Sequence, residues 1–113
     1  MKNAVVLIKH KSKFLYPLIL SKGDIVKTGD EDDEFPGWIW CTTSDKNSGW
    51  IPKAYLEINN NSSVLKKDYN ATELNVDIGQ ILKVFFEDAG WAWCEAENNL
   101  KGWVPVNKIK YFS

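Results

Sequence analysis

The chain has 113 residues and a formal net charge of −1, with 14 basic residues that are all lysine and 15 acidic residues. Neither half is basic, because residues 1–58 carry eight Lys and eight Asp or Glu, and residues 59–113 carry six and seven. This balance disfavours a nucleic-acid partner, and the lack of arginine removes the planar donor suited to phosphate and base recognition. No apolar stretch approaches the roughly 20 residues that span a bilayer, so we expect no membrane partner and a cytoplasmic location.

The first predicted element is a strand at residues 4–8, Ala-Val-Val-Leu-Ile. This run is too short for the apolar core of a signal peptide. Further along, short runs rich in Val, Ile, Trp and Thr alternate with clusters of Gly, Asn and Asp, which is typical of many short strands. No segment keeps a helical period, so the sequence predicts an all-β class.

Two blocks of the chain repeat a tryptophan pattern. Gly-Trp-Ile-Trp-Cys at 37–41 matches Gly-Trp-Ala-Trp-Cys at 90–94, and Gly-Trp-Ile-Pro at 49–52 matches Gly-Trp-Val-Pro at 102–105. Matched positions are 53 residues apart throughout, and all six tryptophans lie in these blocks. A fixed period means two copies of one structural unit. Large aromatic side chains suit units this small, because each buries a large area.

The repeat extends upstream, where residues 20–27 match residues 76–83 at a separation of 56. The three extra residues of the first copy fall in its acidic segment 29–37, which predicts an exposed loop. In the second copy, strands are predicted at 64–65, 81–86, 91–96 and 101–105, with a hairpin turn at Asn98 and Asn99.

An Asn- and Ser-rich stretch lies between the copies at residues 59–63. Its composition predicts a linker at 59–62, between one unit at 1–58 and another at 63–113. A flexible link of this length spans only about 12 Å, so the two units are expected to be neighbours.

The order of these motifs resembles tandem bacterial SH3 domains. The second copy presents Asp-Tyr-Asn-Ala at 68–71, Glu-Leu-Asn-Val at 73–76, Gly79, Trp91 and then Gly-Trp-Val-Pro. In that family the same order runs from an aromatic strand through the RT loop, a Gly turn, the n-Src loop and the ligand tryptophan to a short 3₁₀ turn. The resemblance covers nearly the whole chain and implies two tandem five-stranded SH3-like β-barrels.

The resemblance also implies an aromatic groove on each barrel for a peptide or protein ligand, of which proline-rich and basic segments are the candidate classes. The positions implied for the first copy are His10, Trp38, Trp50, Pro52 and Tyr55. Those implied for the second copy are Tyr69, Trp91, Trp103 and Pro105.

The two grooves depart from the family pattern in different ways. Lys108 stands in the second copy where the first has Tyr55, and the RT loop of the second copy is short at residues 71–73. The first copy has an RT loop of near-normal length, but residues 11–17 are basic and aromatic where peptide-binding members are commonly acidic. We therefore expect the first barrel to be the better binder, with Trp38 exposed at its groove.

The acidic run at residues 30–34 leaves three alternatives open. Asp32 and Asp33 would contact a basic residue of the ligand, because the n-Src loop flanks one end of the groove. The run is also consistent with a solvated loop of like charges, or with a site for a hard cation.

Nothing in the sequence predicts catalysis, a cofactor or a resident metal. His10 is the single histidine, and no second His or Cys pair accompanies it at metal-ligand spacing. Cys41 and Cys94 follow Trp-x-Trp on the inward phase of a strand, so buried, unpaired thiols are expected.

The sequence therefore favours a non-catalytic protein-interaction module. One alternative is a structural adaptor that assembles through the surfaces of its barrels. Another is a module that binds cell-wall peptide or glycan, since bacterial SH3 domains also occur on wall hydrolases.

Overall fold

A computed structural model describes residues 1–14 and 16–112, which form twelve short strands and two 3₁₀ helices. The strands are β1 Lys2–Val6, β2 Ile19–Leu20, β3 Ile25–Glu31, β4 Trp38–Thr42, β5 Ser48–Pro52, β6 Leu56–Asn59, β7 Ser62–Leu65, β8 Tyr69–Asn70, β9 Ile81–Asp88, β10 Trp91–Ala96, β11 Lys101–Pro105 and β12 Ile109–Phe112. The 3₁₀ helices, Lys53–Tyr55 and Val106–Lys108, follow the two Gly-Trp-aliphatic-Pro segments. The predicted all-β class is confirmed.

The strands form two antiparallel five-stranded sheets and one two-stranded sheet. Their orders are β11-β10-β9-β1-β12, β5-β4-β3-β7-β6 and β2-β8. Asn99 and Lys46, at φ 67° and 68°, occupy the turns of the β10–β11 and β4–β5 hairpins. The prediction of two five-stranded structures is confirmed.

The two copies exchange their first strands. β1 pairs with β9 and β12 of the second copy, whereas β7, the first strand of the second copy, pairs with β3 and β6 of the first. The chain accordingly divides into unit 1, residues 1–15 with 72–113, and unit 2, residues 16–71. These units differ from the contiguous ranges 1–58 and 63–113 expected from the repeat.

The segment predicted to be a linker accounts for this exchange. β6 and β7 form a tight hairpin in which Asn59 pairs with Ser62, and Asn60 adopts a left-handed conformation at φ 58°. Asparagine tolerates positive φ better than most residues, which suits it to two-residue turns. Because the turn holds β7 beside β6, β7 completes the sheet of the first copy and leaves the equivalent place in the second copy to β1.

Side-chain chemistry also matches the exchanged pairing. Ser63 on β7 is 1% exposed, and its hydroxyl lies 2.6 Å from the hydroxyl of Thr28 on β3. The repeat-equivalent residues in unit 1 are Ala4 and Val84, both buried and apolar. Contiguous pairing would place Ala4 near Thr28 and the Ser63 hydroxyl near Val84, which would cost about 1–3 kcal/mol for an unsatisfied buried hydroxyl.

Inward-facing residues at alternate strand positions form the core of each unit. In unit 1 the apolar core includes Ala4, Val6, Leu74, Val76, Leu82, Val84, Ala92, Cys94, Ala96, Val104 and Ile109.

Cys41 and Cys94 are buried free thiols, as predicted from their strand phase. Burial raises the pKa of Cys41 to about 11. Burial, with a smaller contribution from the charge of Glu87, raises the pKa of Cys94 to about 12.

Candidate functional site

In unit 1, His10 lies at the centre of a polar cluster. Two backbone hydrogen bonds hold it to Val76, His10 N to Val76 O at 3.0 Å and Val76 N to His10 O at 2.9 Å. Its imidazole contacts a carboxylate on one side, with 2.8 Å between Nε2 and Glu73 Oε1, and an ammonium on the other, with 3.0 Å between Nδ1 and Lys108 Nζ. The imidazole ring also meets Trp91 edge-on, with the ring centroids 5.4 Å apart.

The partners of His10 fix the direction of its hydrogen bonds. A lysine ammonium has donors and no acceptor, so Nδ1 of His10 accepts from Lys108. Nε2 then carries the proton and donates to Glu73. The side chains of His10 and Glu73 are 10% and 15% exposed, so this chain of contacts is largely shielded from solvent and holds Lys108 beside the histidine.

Strand pairing places the remaining groove residues of unit 1. Trp91 on β10 pairs with Pro105 on β11, and Trp93 pairs with Trp103 two positions along. Trp91 is half-buried, whereas Trp103 is 2% exposed. Backbone hydrogen bonds tie Trp103 to the segment 72–74, which runs alongside β11. Trp103 therefore presents little surface to a ligand.

In unit 2 the equivalent positions hold two tyrosines in contact. The rings of Tyr55 and Tyr69 meet edge-on with centroids 5.1 Å apart, and the ammonium of Lys67 lies 4.1 Å from the centre of the Tyr55 ring. The hydroxyl of Tyr69 donates to the carbonyl of Trp50 at 2.8 Å. Tyr55 and Tyr69 are 5% and 4% exposed, so this pair is buried.

Trp38 on β4 pairs with Pro52 on β5, as Trp91 pairs with Pro105. The prediction that Trp38 is exposed is wrong, because only 4% of it is accessible. Trp50 is half-buried and packs edge-on against Trp40 at 5.0 Å. Pro52 is fully buried.

The exchange of strands changes which of the predicted site residues lie together. The repeat grouped His10 with Trp38 and Tyr55, and Tyr69 with Trp91. The structure instead brings His10 to Trp91 and Lys108, and Tyr69 to Tyr55. Each of the two units thus combines the aromatic or imidazole residue of one copy with the tryptophan strand of the other.

The profile of the variant SH3 domain family matches residues 6–59 and again residues 64–111. The chain belongs to this family. Each match follows the order of the sequence and therefore includes residues of both units. SH3 domains are in general protein-interaction modules and are typically non-catalytic. No curated protein and no solved structure matches the chain.

The acidic n-Src loop of the first SH3 copy is partly organised by its own hydrogen bonds. Glu31 accepts from the backbone N–H of Gly37 at 2.9 Å and pairs with Lys53 at 3.2 Å. The Gly37 hydrogen bond, with Lys53 second, lowers the pKa of Glu31 below its ordinary value. Asp32 is half-buried and its backbone N–H donates to the carbonyl of Trp38, whereas Asp33 is exposed. The expected contact of these aspartates with a basic ligand stays a prediction.

Within residues 1–14 and 16–112, no group of three or more His, Cys, Asp or Glu residues is arranged to hold a metal ion. Over the same residues, no helix is long and apolar enough to cross a membrane. Leu15, which falls in the predicted RT loop, lies outside the described residues.

Glu73 and Lys108 belong to the site but are absent from the residues that the family pattern implied. Lys108 was visible in the sequence as a departure at a tyrosine position. Glu73 gave no signal, because its partner His10 comes from the other copy. Only the exchanged pairing places the two side chains together.

Proposed function

We propose that the protein is a non-catalytic interaction module that binds an extended peptide or protein segment through an SH3 groove. The observation that supports this most directly is the convergence of His10, Trp91 and Lys108 in unit 1, beside Pro105. Trp91 and Lys108 are both half-buried, so each keeps part of its surface available to a ligand. A shallow surface of this kind suits a polyproline II segment, which is already extended and loses little entropy on binding.

The two grooves are unequal candidates. The sequence ranks the first copy as the better binder on the strength of Trp38 and Tyr55, and this ranking stays a prediction. The low exposure of Trp38, Tyr55 and Tyr69 favours the opposite ranking, with the Trp91 groove as the more accessible one. The acidic residues Asp32 and Asp33 support a basic ligand only if the Trp38 groove is the one that binds.

A titration that reads each tryptophan separately decides between them. The probe is a panel of acetylated, amidated ten-residue polyproline peptides, plain or carrying one Lys or one Glu, added to the ¹⁵N-labelled full chain. Binding at unit 1 is expected to move the indole N–H signal of Trp91 and to leave that of Trp38 in place. Trp91→Ala should then abolish binding, with a typical hot-spot loss of about 2 kcal/mol or more, while Trp38→Ala retains it.

The opposite pattern, with signals moving at Trp38 and binding weakened by Asp32→Asn and Asp33→Asn, would establish the first copy as the binder of basic peptides. A panel that moves neither indole signal would contradict the proposed groove function.

A further inference from the structure

The polar cluster of unit 1 replaces an aromatic pair of the other groove. Where unit 2 has Tyr69 against Tyr55, unit 1 has His10 against Lys108. Both members of the pair differ, and the two residues touch each other in each unit. The His10–Lys108 pair therefore forms a polar contact surface beside Trp91, in the place where unit 2 has an aromatic pair.

The charge on Lys108 is only partly compensated. Glu73 contacts the opposite side of the neutral His10 imidazole, and among the described residues no carboxylate pairs directly with Lys108. Its hydrogen bond to His10 uses one of the three ammonium donors. Removing an ammonium partly from water without a counter-charge in direct contact is unfavourable, so a half-buried lysine held in this way favours an anionic partner.

Neighbouring charges add to this preference. The segment of unit 1 that carries His10 also carries Lys9, Lys11 and Lys13, all of them exposed. Glu73, the nearest carboxylate to the cluster, is already engaged by His10. Asp88 pairs with Trp91 across the β9–β10 ladder, so the carboxylate beside Trp91 lies on β9, whereas the cations lie on the His10 segment and at Lys108.

We infer that the groove of unit 1 selects an acidic residue in an extended peptide, with the Asp or Glu carboxylate bound by Lys108 while a neighbouring apolar residue packs on Trp91. This inference rests on the proposed function and names its ligand class. It is opposite in sign to the expectation of a basic ligand, because the charged side chain that contacts His10 beside Trp91 and has no directly paired carboxylate is that of Lys108. Hydrogen bonds between ionised partners are shorter and about twice as strong as neutral ones.

The test uses the full chain and a positional series of acetylated, amidated ten-residue polyproline peptides in which one Glu occupies each position in turn. Matched series carry Gln or Lys at the same positions. Affinities come from the indole N–H signal of Trp91 at low and high salt. The best Glu peptide is expected to bind about tenfold more tightly than its Gln counterpart, with the difference shrinking as salt rises.

Three variants separate charge at this site from general charge. Lys108→Met removes the ammonium and keeps the apolar stem, and it should abolish the preference for Glu over Gln. Lys108→Arg keeps the charge and should retain the preference. Lys110→Met removes an exposed lysine two residues away and should leave the preference unchanged.

The outcomes distinguish this inference from the function on which it rests. If peptides move the Trp91 signal but the Glu and Gln series bind equally, the acidic selection is overturned and the groove function stands. If no peptide moves the Trp91 signal, both the proposed binding function of the unit 1 groove and its acidic selection are overturned. A Glu preference that survives in Lys108→Met overturns the assignment to Lys108. Equal binding of a Glu-free peptide with an unblocked C-terminal carboxylate would show that the site reads a chain end instead of a side chain.

Discussion

Gly49 and Gly102 stand at matched positions of the repeat, but their surroundings differ. A Cβ added at Gly102 would lie 2.9 Å from the backbone of both Leu74 and Thr72. A Cβ added at Gly49 would meet only the side chain of Leu18, at 3.1 Å. Backbone cannot yield to such an approach without moving a whole segment, whereas a leucine side chain shifts by a few tenths of an ångström. Gly102 is therefore required for the segment 72–74 to pack beside Trp103.

Gly102→Ala should destabilise unit 1 by about 1–3 kcal/mol, the usual cost of overpacking. Gly49→Ala, the matched control, should cost less than about 1 kcal/mol because Leu18 can adjust. Urea denaturation gives both values, and amide hydrogen exchange at Trp103 and Leu74 locates the damage, since each N–H is bonded across the two segments. Equal losses in the two variants would contradict this account of the close approach.

The buried thiols predict a dependence on alkaline pH. The folded-state pKa values of Cys41 and Cys94 are raised from an ordinary 9.0 to about 11 and about 12. Thiols in the unfolded chain therefore ionise first as pH rises above about 9, which stabilises the unfolded state relative to the folded state. The free energy of unfolding falls until the folded thiols ionise too. A Cys41→Ala, Cys94→Ala double variant should lose less stability than wild type between pH 9 and 11 in urea titrations. Rapid labelling of native wild type by a thiol reagent at neutral pH would contradict the burial.

At the scale of elements, the sequence predicts the strands well but not which barrel each joins. The hairpins follow from alternating apolar residues and Asn-rich turns, which are local signals. The sheet that β1 or β7 joins is harder to predict, because the two strands are equivalent in the repeat and the apolar pattern of each suits either sheet. Two features decide it: the tightness of the turn at Asn60, which its composition did not distinguish from a linker, and the non-local hydroxyl contact of Ser63 with Thr28. The grouping of His10 with Trp91 could not be predicted for the same reason.

Lengthening the turn tests whether it enforces the exchange. Four Gly and Ser residues inserted between Asn60 and Asn61 should leave the exchanged pairing dominant, because Ser63 still prefers Thr28. Combining the insertion with Ala4→Ser and Ser63→Ala moves the matching hydroxyl to β1 and should populate contiguous pairing. Nuclear Overhauser contacts report it, with Val5 near Lys110 in the exchanged form and near Glu57 in the contiguous form.

The two substitutions without the insertion are the control, and they should keep Val5 beside Lys110 at reduced stability. Contiguous contacts in that control would show that the turn does not constrain β7. If the variant that combines the insertion with both substitutions shows no contiguous contacts, other contacts, such as those of His10 with Lys108 and Glu73, are sufficient to maintain the exchanged pairing.

At the scale of the whole molecule, the exchange makes one unit a continuous stretch of chain and the other not. Unit 2 is the single run 16–71 and contains β2 to β8, whereas unit 1 needs residues 1–15 together with residues 72–113. The family matches end at 59 and begin again at 64, so a truncation designed from them would separate β6 from β7, both of which belong to unit 2. A fragment cut at the repeat boundary removes β7 from the sheet that it completes.

The fragment 16–71 should therefore fold alone as a monomer, and be more stable than the fragment 1–58. The latter must use β1 in place of β7, which exchanges Leu65 for Val6 in the core and leaves the hydroxyl of Thr28 without Ser63. These losses amount to about 1–3 kcal/mol. Both fragments contain Trp38, Trp40 and Trp50, so urea denaturation followed by tryptophan fluorescence compares them directly, with sedimentation used to establish that each is monomeric. Ser63→Ala in the fragment 16–71 is the matched control and should remove part of its advantage. A monomeric fragment 1–58 as stable as the fragment 16–71 would contradict the view that the contacts of β7 stabilise the exchanged unit.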